Sequence, residues 1–328
     1  WSTFITHNET SKCSKFLSPI KGSVEKSIYY HYEFKNVDSK ATQDLSAYEI
    51  IPTYYRKRVD KMNSFISWIG GKKLLKRKII EQFPKNFDRY IEVFGGAGWV
   101  LFDKEKHADM EVYNDMNGEL VNLFRCVKYH PDALQKELDW MLISREQFFN
   151  CVAQNEIQGM TDIQRAARFY CRIKLSFGAD LDSFGVRSRD MQGTIEYLQK
   201  ASKRLNRVVI ENVDFERLIK TYDRESALFY CDPPYYDAEK YYPDKFQSED
   251  HARLRDALSR IKGKFILSYN DCQEIRDLYA GYDLIEVDRQ DNLVTKTNPR
   301  RYRELIIKKL LEKMWVLFRK WMKGGEPG

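Results

Sequence analysis

A carboxylate, two prolines and two tyrosines end an apolar run in "FYCDPPYYD", residues 229–237. Asp232 should therefore lie at the carboxyl end of a buried strand, where α/β proteins bind ligands. Pro233 and Pro234 lack N–H groups and keep their carbonyl oxygens as acceptors, and Tyr235 adds a flat face. Two acceptors beside an aromatic ring suit an exocyclic amino group on a stacked planar base. The alternative is a rigid strand-end turn that binds nothing.

A second candidate site is the glycine-rich turn "EVFGGAG", residues 92–98. Glycines at a strand end let the backbone approach a ligand and enter a helix tightly, although a tight turn alone also explains them. Asp115 ends the next apolar run, where a carboxylate can accept hydrogen bonds from ribose hydroxyls. Because the glycines do not follow the GxGxxG spacing, we predict a nucleoside ligand without phosphates.

Two glycines also precede a basic amphipathic stretch in "SWIGGKKLLKRKI", residues 67–79. Leu75 and Ile79 share one helical face, which is typical of a solvated helix with a buried stripe. Alternatively, Trp68 and Lys72 close the predicted pocket, with Lys72 paired to a carboxylate of the ligand.

The elements that must position these residues alternate between strands and helices, which predicts an α/β sheet with ligands at the carboxyl ends of its strands. The predicted strands are YIEVF (90–94), EVYND (111–115), ALFYC (227–231), KFILSY (264–269), DLIEV (283–287) and ELIIKKL (304–310). The clearest predicted helices are GELVNLFRCVKYH (118–130), HARLRDALSRI (251–261) and CQEIRDLYAG (272–281).

The middle of the chain, residues 125–206, interrupts this alternation and is predicted to be a mainly helical insertion forming a second, smaller domain. Thr161 and Gln164 have the spacing of a capping box at a helix start. The stretch 174–190 is rich in glycine and charge and predicts a hairpin or loop. Residues 1–61 lack clear periodicity and are interpreted as an appendage, and 312–328 as a terminal tail.

Composition excludes few functions. The chain has 328 residues, of which 43% are hydrophobic, and a net charge of +7, which mildly favours a polyanionic partner. No apolar run is long enough to span a membrane, and the polar N-terminal stretch predicts no signal peptide. The six cysteines form no CxxC pair and do not cluster with histidines, so we expect reduced thiols and no metal site.

Taken together, "SWIGGK", "EVFGGAG", "YNDMN", "NVDF" and "YCDPPY" occur in the order that resembles the Dam-like DNA adenine-N6 methyltransferases. The resemblance covers about residues 62–311. It implies a Rossmann-like S-adenosylmethionine (SAM)-dependent methyltransferase sheet, built from 62–124 and 207–311, with a target-recognition insertion at 125–206. It also implies double-stranded DNA as partner and a flipped target adenine.

The resemblance assigns a role to each matching residue. The catalytic residues would be Asp232, Pro233, Pro234 and Tyr235, which hold the target adenine. The SAM-binding residues would be Trp68, Lys72, Phe94, Gly95, Gly96, Gly98, Asp115, Asp214 and Phe215, with Asp115 at the ribose and Asp214 and Phe215 at the SAM adenine.

Contacts to DNA are expected from basic loops, although a single basic cluster is more often a solvated face. The candidates are Arg187, Arg189, Lys296, Arg300, Arg301 and Arg303. Methylation of cytosine N4, RNA adenine or protein glutamine remains an alternative, as does a DNA-binding relative without activity. The recognition sequence stays open, with GATC as one candidate. We expect a cytoplasmic bacterial or phage enzyme, orphan or part of a restriction-modification system, that is a monomer or weak dimer and needs no metal.

Overall fold

The structure is a computed structural model, and it divides the chain into two units, residues 1–61 and 62–328. In the first unit it describes two short paired strands, β1 (Tyr30–His31) and β2 (Thr53–Tyr54). In the second it describes residues 62–154, 157–185, 191–238, 246–290 and 301–309.

The second unit is built on a mixed seven-stranded sheet of order β5-β4-β3-β6-β7-β9-β8. Strands β3 to β7 pair in parallel, whereas β9 is antiparallel to both β7 and β8. Every predicted strand is present, so the predicted α/β sheet is confirmed. The strands are β3 (Arg89–Glu92), β4 (Met110–Asn114), β5 (Val208–Glu211), β6 (Ala227–Cys231), β7 (Lys264–Asn270), β8 (Asp283–Gln290) and β9 (Arg301–Lys308).

The central strands are apolar because both faces of the sheet are covered. On β6, alternate residues enter two separate cores: Leu228 and Tyr230 belong to one, and Phe229 and Cys231 to the other. The described helices are α1 (Lys76–Glu81), α2 (Gly118–Tyr129), α3 (Pro131–Asp139), α4 (Arg145–Ala153), α5 (Asp162–Leu175), α6 (Met191–Leu205), α7 (Phe215–Tyr222), α8 (Ser248–Ser259) and α9 (Gln273–Leu278). Among the described residues, no helix has the length and apolar character needed to cross a bilayer.

The insertion is helical as predicted, but it is not a separate compact unit. Leu134 of α3, Tyr170 of α5 and Leu198 of α6 join the same core cluster as Tyr90 and Tyr113 of the sheet. These helices cover one face of β3 and β4, which would otherwise expose large apolar side chains to water. The insertion helices thus share one core with the sheet, and the division of the chain at residues 125 and 206 stays a prediction.

A buried ion pair joins the insertion to the sheet. Arg204 of α6 makes two 2.8 Å contacts with Glu111 of β4, and both side chains are only 4% exposed. The same guanidinium donates to the carbonyls of Lys104 and Leu101 at 2.7 Å. Each of the three guanidinium nitrogens of Arg204 therefore has an acceptor, as a buried charge requires.

Local signals inside the insertion agree with the sequence. The predicted capping box at the start of α5 is confirmed, since Thr161 and Gln164 exchange side-chain and backbone hydrogen bonds. After α5 the chain turns back, and Ser176 forms an antiparallel bridge with Phe184. The turn between them contains left-handed residues at Ala179 and Leu181.

Candidate active site

The candidate residues gather at the carboxyl edge of the parallel strands. Strand β3 lies between β4 and β6, so the turn after β3, the end of β4 and the end of β6 are neighbours. The chain connects in opposite directions on the two sides of β3, and such a switch point opens a crevice for ligands. Asp115 and Asp232 directly follow β4 and β6, and Gly95 lies three residues beyond the end of β3.

The glycine turn needs its glycines for two separate reasons. Gly96 and Gly98 have φ angles of +49° and +67°, a conformation that side chains disfavour. A Cβ on Gly95 would overlap the ring of Tyr113, whose hydroxyl donates to the Gly96 carbonyl at 2.7 Å. The glycines therefore let the backbone of the turn pack directly against Tyr113 of β4.

Trp68 and Phe94 are the aromatic residues next to this turn. A Cβ on Gly96 would lie 3.2 Å from the indole of Trp68, which packs against Phe169 of α5 at a ring distance of 5.8 Å. Phe94 directly precedes Gly95 and packs against Phe215 with ring centroids 5.7 Å apart. Both aromatic residues are thus held by packing against other elements of the fold.

Asp115 ties the glycine turn to the end of β4. Its Oδ2 accepts from the Gly96 N–H and its Oδ1 from the Asn117 N–H, both at 2.8 Å. The half-buried carboxylate therefore connects the glycine turn to the start of α2.

Asp214 caps helix α7 and also forms an ion pair. Its Oδ1 accepts from the Glu216 N–H at 2.9 Å, and its Oδ2 meets Arg253 of α8. The Arg253 guanidinium lies 4.3 Å from the centroid of the Phe215 ring, a cation–π contact. Arg253 was not singled out from the sequence, where it is one of several charged residues on an amphipathic helix.

One carboxylate oxygen of Asp232 accepts from two hydrogen-bond donors. Lys72 Nζ lies 2.6 Å from Oδ1, and Ser268 Oγ donates to the same Oδ1 at 2.8 Å. Within the described part of the chain, Oδ2 has no hydrogen-bond partner, and neither has the Pro233 carbonyl. Burial raises the pKa of Asp232, while Lys72 and Ser268 oppose that rise.

Lys72 contacts two residues of the "DPPY" motif, and its predicted role in binding the cofactor stays a prediction. Its side chain is 4% exposed and points at Asp232 rather than standing open for a ligand carboxylate. Nζ also donates to the Gly70 carbonyl at 3.0 Å and lies 4.6 Å from the centroid of the Tyr235 ring. Lys72 thus joins the turn before α1 to both polar groups of the "DPPY" motif.

A buried hydrogen bond fixes the hydroxyl end of the Tyr235 ring. Its hydroxyl donates to Oε2 of Glu304 on β9 at 2.6 Å, and Glu304 is 2% exposed. Burial, followed by the charges of Asp232 and Glu304, raises the Tyr235 pKa well above its usual value. The hydroxyl remains protonated at neutral pH and keeps donating.

Beneath the glycine turn, Glu92 at the end of β3 is 2% exposed. One oxygen accepts from the Tyr90 hydroxyl at 2.8 Å and from the Leu101 N–H at 2.9 Å. Burial raises the pKa of Glu92 to about 8. The protonated form therefore predominates at neutral pH, and it fixes the segment that follows the turn.

The predicted DNA contacts are described only in part. Arg187, Arg189, Lys296 and Arg300 lie outside the described residues, and for Arg301 only its place in β9 is described. Arg303 is exposed on β9, opposite Asp288 of β8. Among the described residues, no group of acidic, histidine or cysteine side chains could hold a metal ion.

Comparisons with known proteins agree with this geometry. Residues 68–293 match the family of D12 class N6 adenine-specific DNA methyltransferases. The chain is 25% identical over 271 residues to the type II methyltransferase M1.LlaDCHI of Lactococcus lactis subsp. cremoris, covering 74% of this chain and 92% of the relative. It is 22% identical over 243 residues to the type II methyltransferase M.CviBI of Paramecium bursaria Chlorella virus NC1A, covering 70% and 91%. It is 24% identical over 273 residues to the DNA adenine methylase of Haemophilus influenzae, covering 75% and 93%.

Proposed function

Because the chain belongs to the D12 class N6 adenine-specific DNA methyltransferase family, we propose that Asp232 and the Pro233 carbonyl hold the N6 amino group of its target adenine. The protein is a SAM-dependent enzyme that methylates adenine N6 in DNA. Family membership favours this reaction over methylation of cytosine N4, RNA or protein. The observation that carries the proposal is the Asp232 carboxylate, whose Oδ1 is occupied by Lys72 and Ser268 while Oδ2 has no partner within the described residues.

The residues around the glycine turn fit the cofactor. SAM supplies an electrophilic methyl group on a sulfonium centre. We assign the ribose hydroxyls to Asp115, whose half-buried carboxylate lies beside the glycine turn at the carboxyl end of β4. We assign the adenine of the cofactor to Asp214 and Phe215, with Trp68, Phe94 and the glycines forming the walls.

At the other end of the site, the chain prepares the amino group as a nucleophile. An adenine N6 lone pair is shared with the ring, so it attacks poorly. Hydrogen bonds from its two N–H groups to Asp232 Oδ2 and the Pro233 carbonyl favour a pyramidal nitrogen and orient the lone pair. Nitrogen loses a proton after it gains the methyl group, and the raised pKa of Asp232 favours acceptance of that proton at Oδ2.

Lys72 takes a different role from the one expected from sequence. Its ammonium group lies against Asp232 and Tyr235, so we propose that it orients the base-binding groups. Tyr235 provides the platform on which the flipped adenine stacks, a contact worth about 1–3 kcal/mol.

The remaining assignments concern the partner and the organisation of the chain. A base cannot reach this pocket inside a duplex, so we propose that the enzyme flips it from double-stranded DNA. We propose phosphate or base-edge contacts for the basic loops and target recognition for 125–206. We also propose a methyltransferase domain formed by 62–124 and 207–311, with 1–61 as an appendage and 312–328 as a terminal tail. We also propose a monomer or weak dimer acting in the cytoplasm of a bacterial or phage-infected cell.

A methylation assay with two variants tests the proposed roles. The full chain is incubated with SAM and duplex DNA, and the digested nucleosides are analysed by mass spectrometry. The wild type should form N6-methyladenine. Asp232→Ala should form none while still shifting DNA in a gel, whereas Asp109→Ala, at an exposed position before the amino end of β4, should match the wild type.

Tyr235→Ala separates stacking from chemistry, because it removes the platform but keeps both acceptors. It should retain slow transfer and show less fluorescence from 2-aminopurine at the target position. Substantial transfer by Asp232→Ala would refute its proposed role, as would methylated cytosine as the product.

A further inference from the structure

The "DPPY" turn rests on three polar side chains from β7 and β9. Ser268 and Asn270 are two residues apart on β7, so they project from the same face of the strand. Glu304 on β9 pairs directly opposite Asn270. We call Ser268, Asn270 and Glu304 the β7–β9 polar cluster.

Each member of this cluster holds a different part of the turn. Ser268 Oγ donates to Asp232 Oδ1 at 2.8 Å, and Glu304 Oε2 accepts from the Tyr235 hydroxyl at 2.6 Å. Asn270 accepts from the Tyr236 N–H at 3.0 Å and donates to the Tyr236 carbonyl at 3.3 Å. The cluster thus fixes a carboxylate, a ring and the backbone that follows them.

Burial makes these polar residues costly unless they are hydrogen-bonded. Ser268 and Glu304 are 1% and 2% exposed on strands whose other buried residues are apolar, such as Leu267 and Ile306. Packing alone would be satisfied by apolar side chains at these positions. Their contacts instead converge on the two side chains assigned to the target base.

We propose that Ser268, Asn270 and Glu304 are positioning residues for methyl transfer, which hold the Asp232 carboxylate and the Tyr235 ring in the orientation that the target adenine requires. This inference rests on the proposed roles of Asp232 and Tyr235. Ser268 and Lys72 together on Oδ1 prevent rotation of the carboxylate and keep Oδ2 toward the base. Glu304 limits the tilt of the Tyr235 ring through its hydroxyl. Small errors in such orientation reduce transfer strongly.

A pH profile tests the role of Ser268. The titratable groups that face Asp232 from its own and neighbouring elements are Lys72, Glu92, Tyr230, Cys231, Tyr235 and Glu304. Ser268 lowers the pKa of Asp232 by donating to it. In Ser268→Ala that pKa rises, so more of the carboxyl is protonated in the acid range and cannot accept the amino group.

The single-turnover rate of Ser268→Ala with SAM and duplex DNA should therefore show its acid limb moved to higher pH. The loss should be about tenfold on that limb, as expected for a hydrogen bond to a charged group, and should shrink as pH rises. Ser259→Ala, which removes a hydroxyl of α8 that donates to the Asp256 carbonyl, should keep the wild-type profile. A loss that is uniform with pH, or no loss, would overturn the role of Ser268.

A double-mutant cycle tests Glu304 independently of Ser268. Tyr235→Phe and Glu304→Leu remove the two ends of one hydrogen bond, so each should slow single-turnover transfer by about tenfold. Because the two changes break the same hydrogen bond, the double variant should lose clearly less activity than the product of the two single losses. Glu304→Gln keeps an acceptor and should retain more activity than Glu304→Leu. Additive losses of about a hundredfold would show that Glu304 acts elsewhere.

The methylation assay of Asp232→Ala distinguishes failure of the proposed role of Asp232 from failure of the positioning role of the β7–β9 polar cluster. If Asp232→Ala still transfers methyl groups, the proposed role of Asp232 fails and this inference fails with it. If Asp232→Ala is inactive while Ser268→Ala behaves as wild type and the cycle is additive, only the positioning role is rejected.

Discussion

Lys72, in the turn before α1, and Asp232, at the end of strand β6, form an ion pair of 2.6 Å. Both side chains are largely buried, with exposed fractions of 4% and 17%. The sequence places one residue in a cofactor motif and the other in a catalytic motif. The structure joins them, so the cofactor side and the base side of the site share one ionic contact.

Replacing Lys72 should affect transfer more than cofactor binding. In Lys72→Met the Asp232 carboxyl loses the charge that opposes the burial-driven rise of its pKa, so its pKa rises further and transfer falls most at low pH. Calorimetry should give a SAM Kd within about threefold of the wild type, a difference below 1 kcal/mol. If the SAM Kd instead rises more than tenfold and saturating SAM restores transfer, Lys72 pairs with the carboxylate of the cofactor.

Asp115 should be required for SAM binding. Asp115→Ala removes the acceptor assigned to the ribose and the partner of the Gly96 N–H, so SAM binding should weaken by more than about 1.5 kcal/mol. Titration calorimetry measures this loss, and circular dichroism checks that the variant is folded. Asp109→Ala serves as a surface control. Unchanged SAM affinity in a folded Asp115→Ala protein would contradict the assignment.

Glu92 should make the stability of the fold depend on pH. Its folded pKa of about 8 lies above its usual value of 4.5, so the folded state binds the proton more tightly than the unfolded state. The free energy of unfolding should therefore fall as pH rises from about 4.5 to 8. Glu92→Gln keeps an acceptor for Tyr90 and Leu101 but does not titrate, so urea unfolding of this variant should show a weaker fall across that range. Equal slopes for both proteins would argue against a protonated Glu92.

The buried pair between Arg204 and Glu111 should dominate the attachment of the insertion. Arg204→Met leaves the Glu111 charge buried without its partner, at a cost of about 3–5 kcal/mol in the free energy of unfolding. The double variant Arg204→Met/Glu111→Gln removes that charge and should recover part of the loss, since Gln still accepts from the His107 N–H. Denaturant unfolding distinguishes the two, and a double variant less stable than Arg204→Met would contradict this explanation.

A chain that starts at Met62 should fold and methylate DNA. Residues 62–328 form one compact unit that contains all the proposed catalytic and cofactor residues. Gel filtration, circular dichroism and the methylation assay should therefore give results close to those of the full chain. A folded but inactive product would assign residues 1–61 to the working enzyme.

Local patterns predicted most of the fold. The run "ALFYC" coincides with β6, where all the residues are buried, because a strand covered on both faces must be apolar throughout. The capping box at Thr161 was equally local. Strand β5, the edge strand VVIE, was missed because an apolar run of only three residues does not by itself distinguish a strand from other buried segments.

The sequence by itself determined the sheet, the order of the motifs and the family. Residues that follow parallel strands meet at one edge whatever the details of packing, so Gly95, Asp115 and Asp232 could be brought together from their positions alone. Only the tertiary structure decided which partners these residues have. Ser268 and Glu304 reach the "DPPY" turn through the register between β7 and its neighbours, and Lys72 reaches it by folding back from an earlier turn. Packing between segments that are distant in sequence sets both the strand register and the position of the turn that carries Lys72. No local pattern encodes such packing.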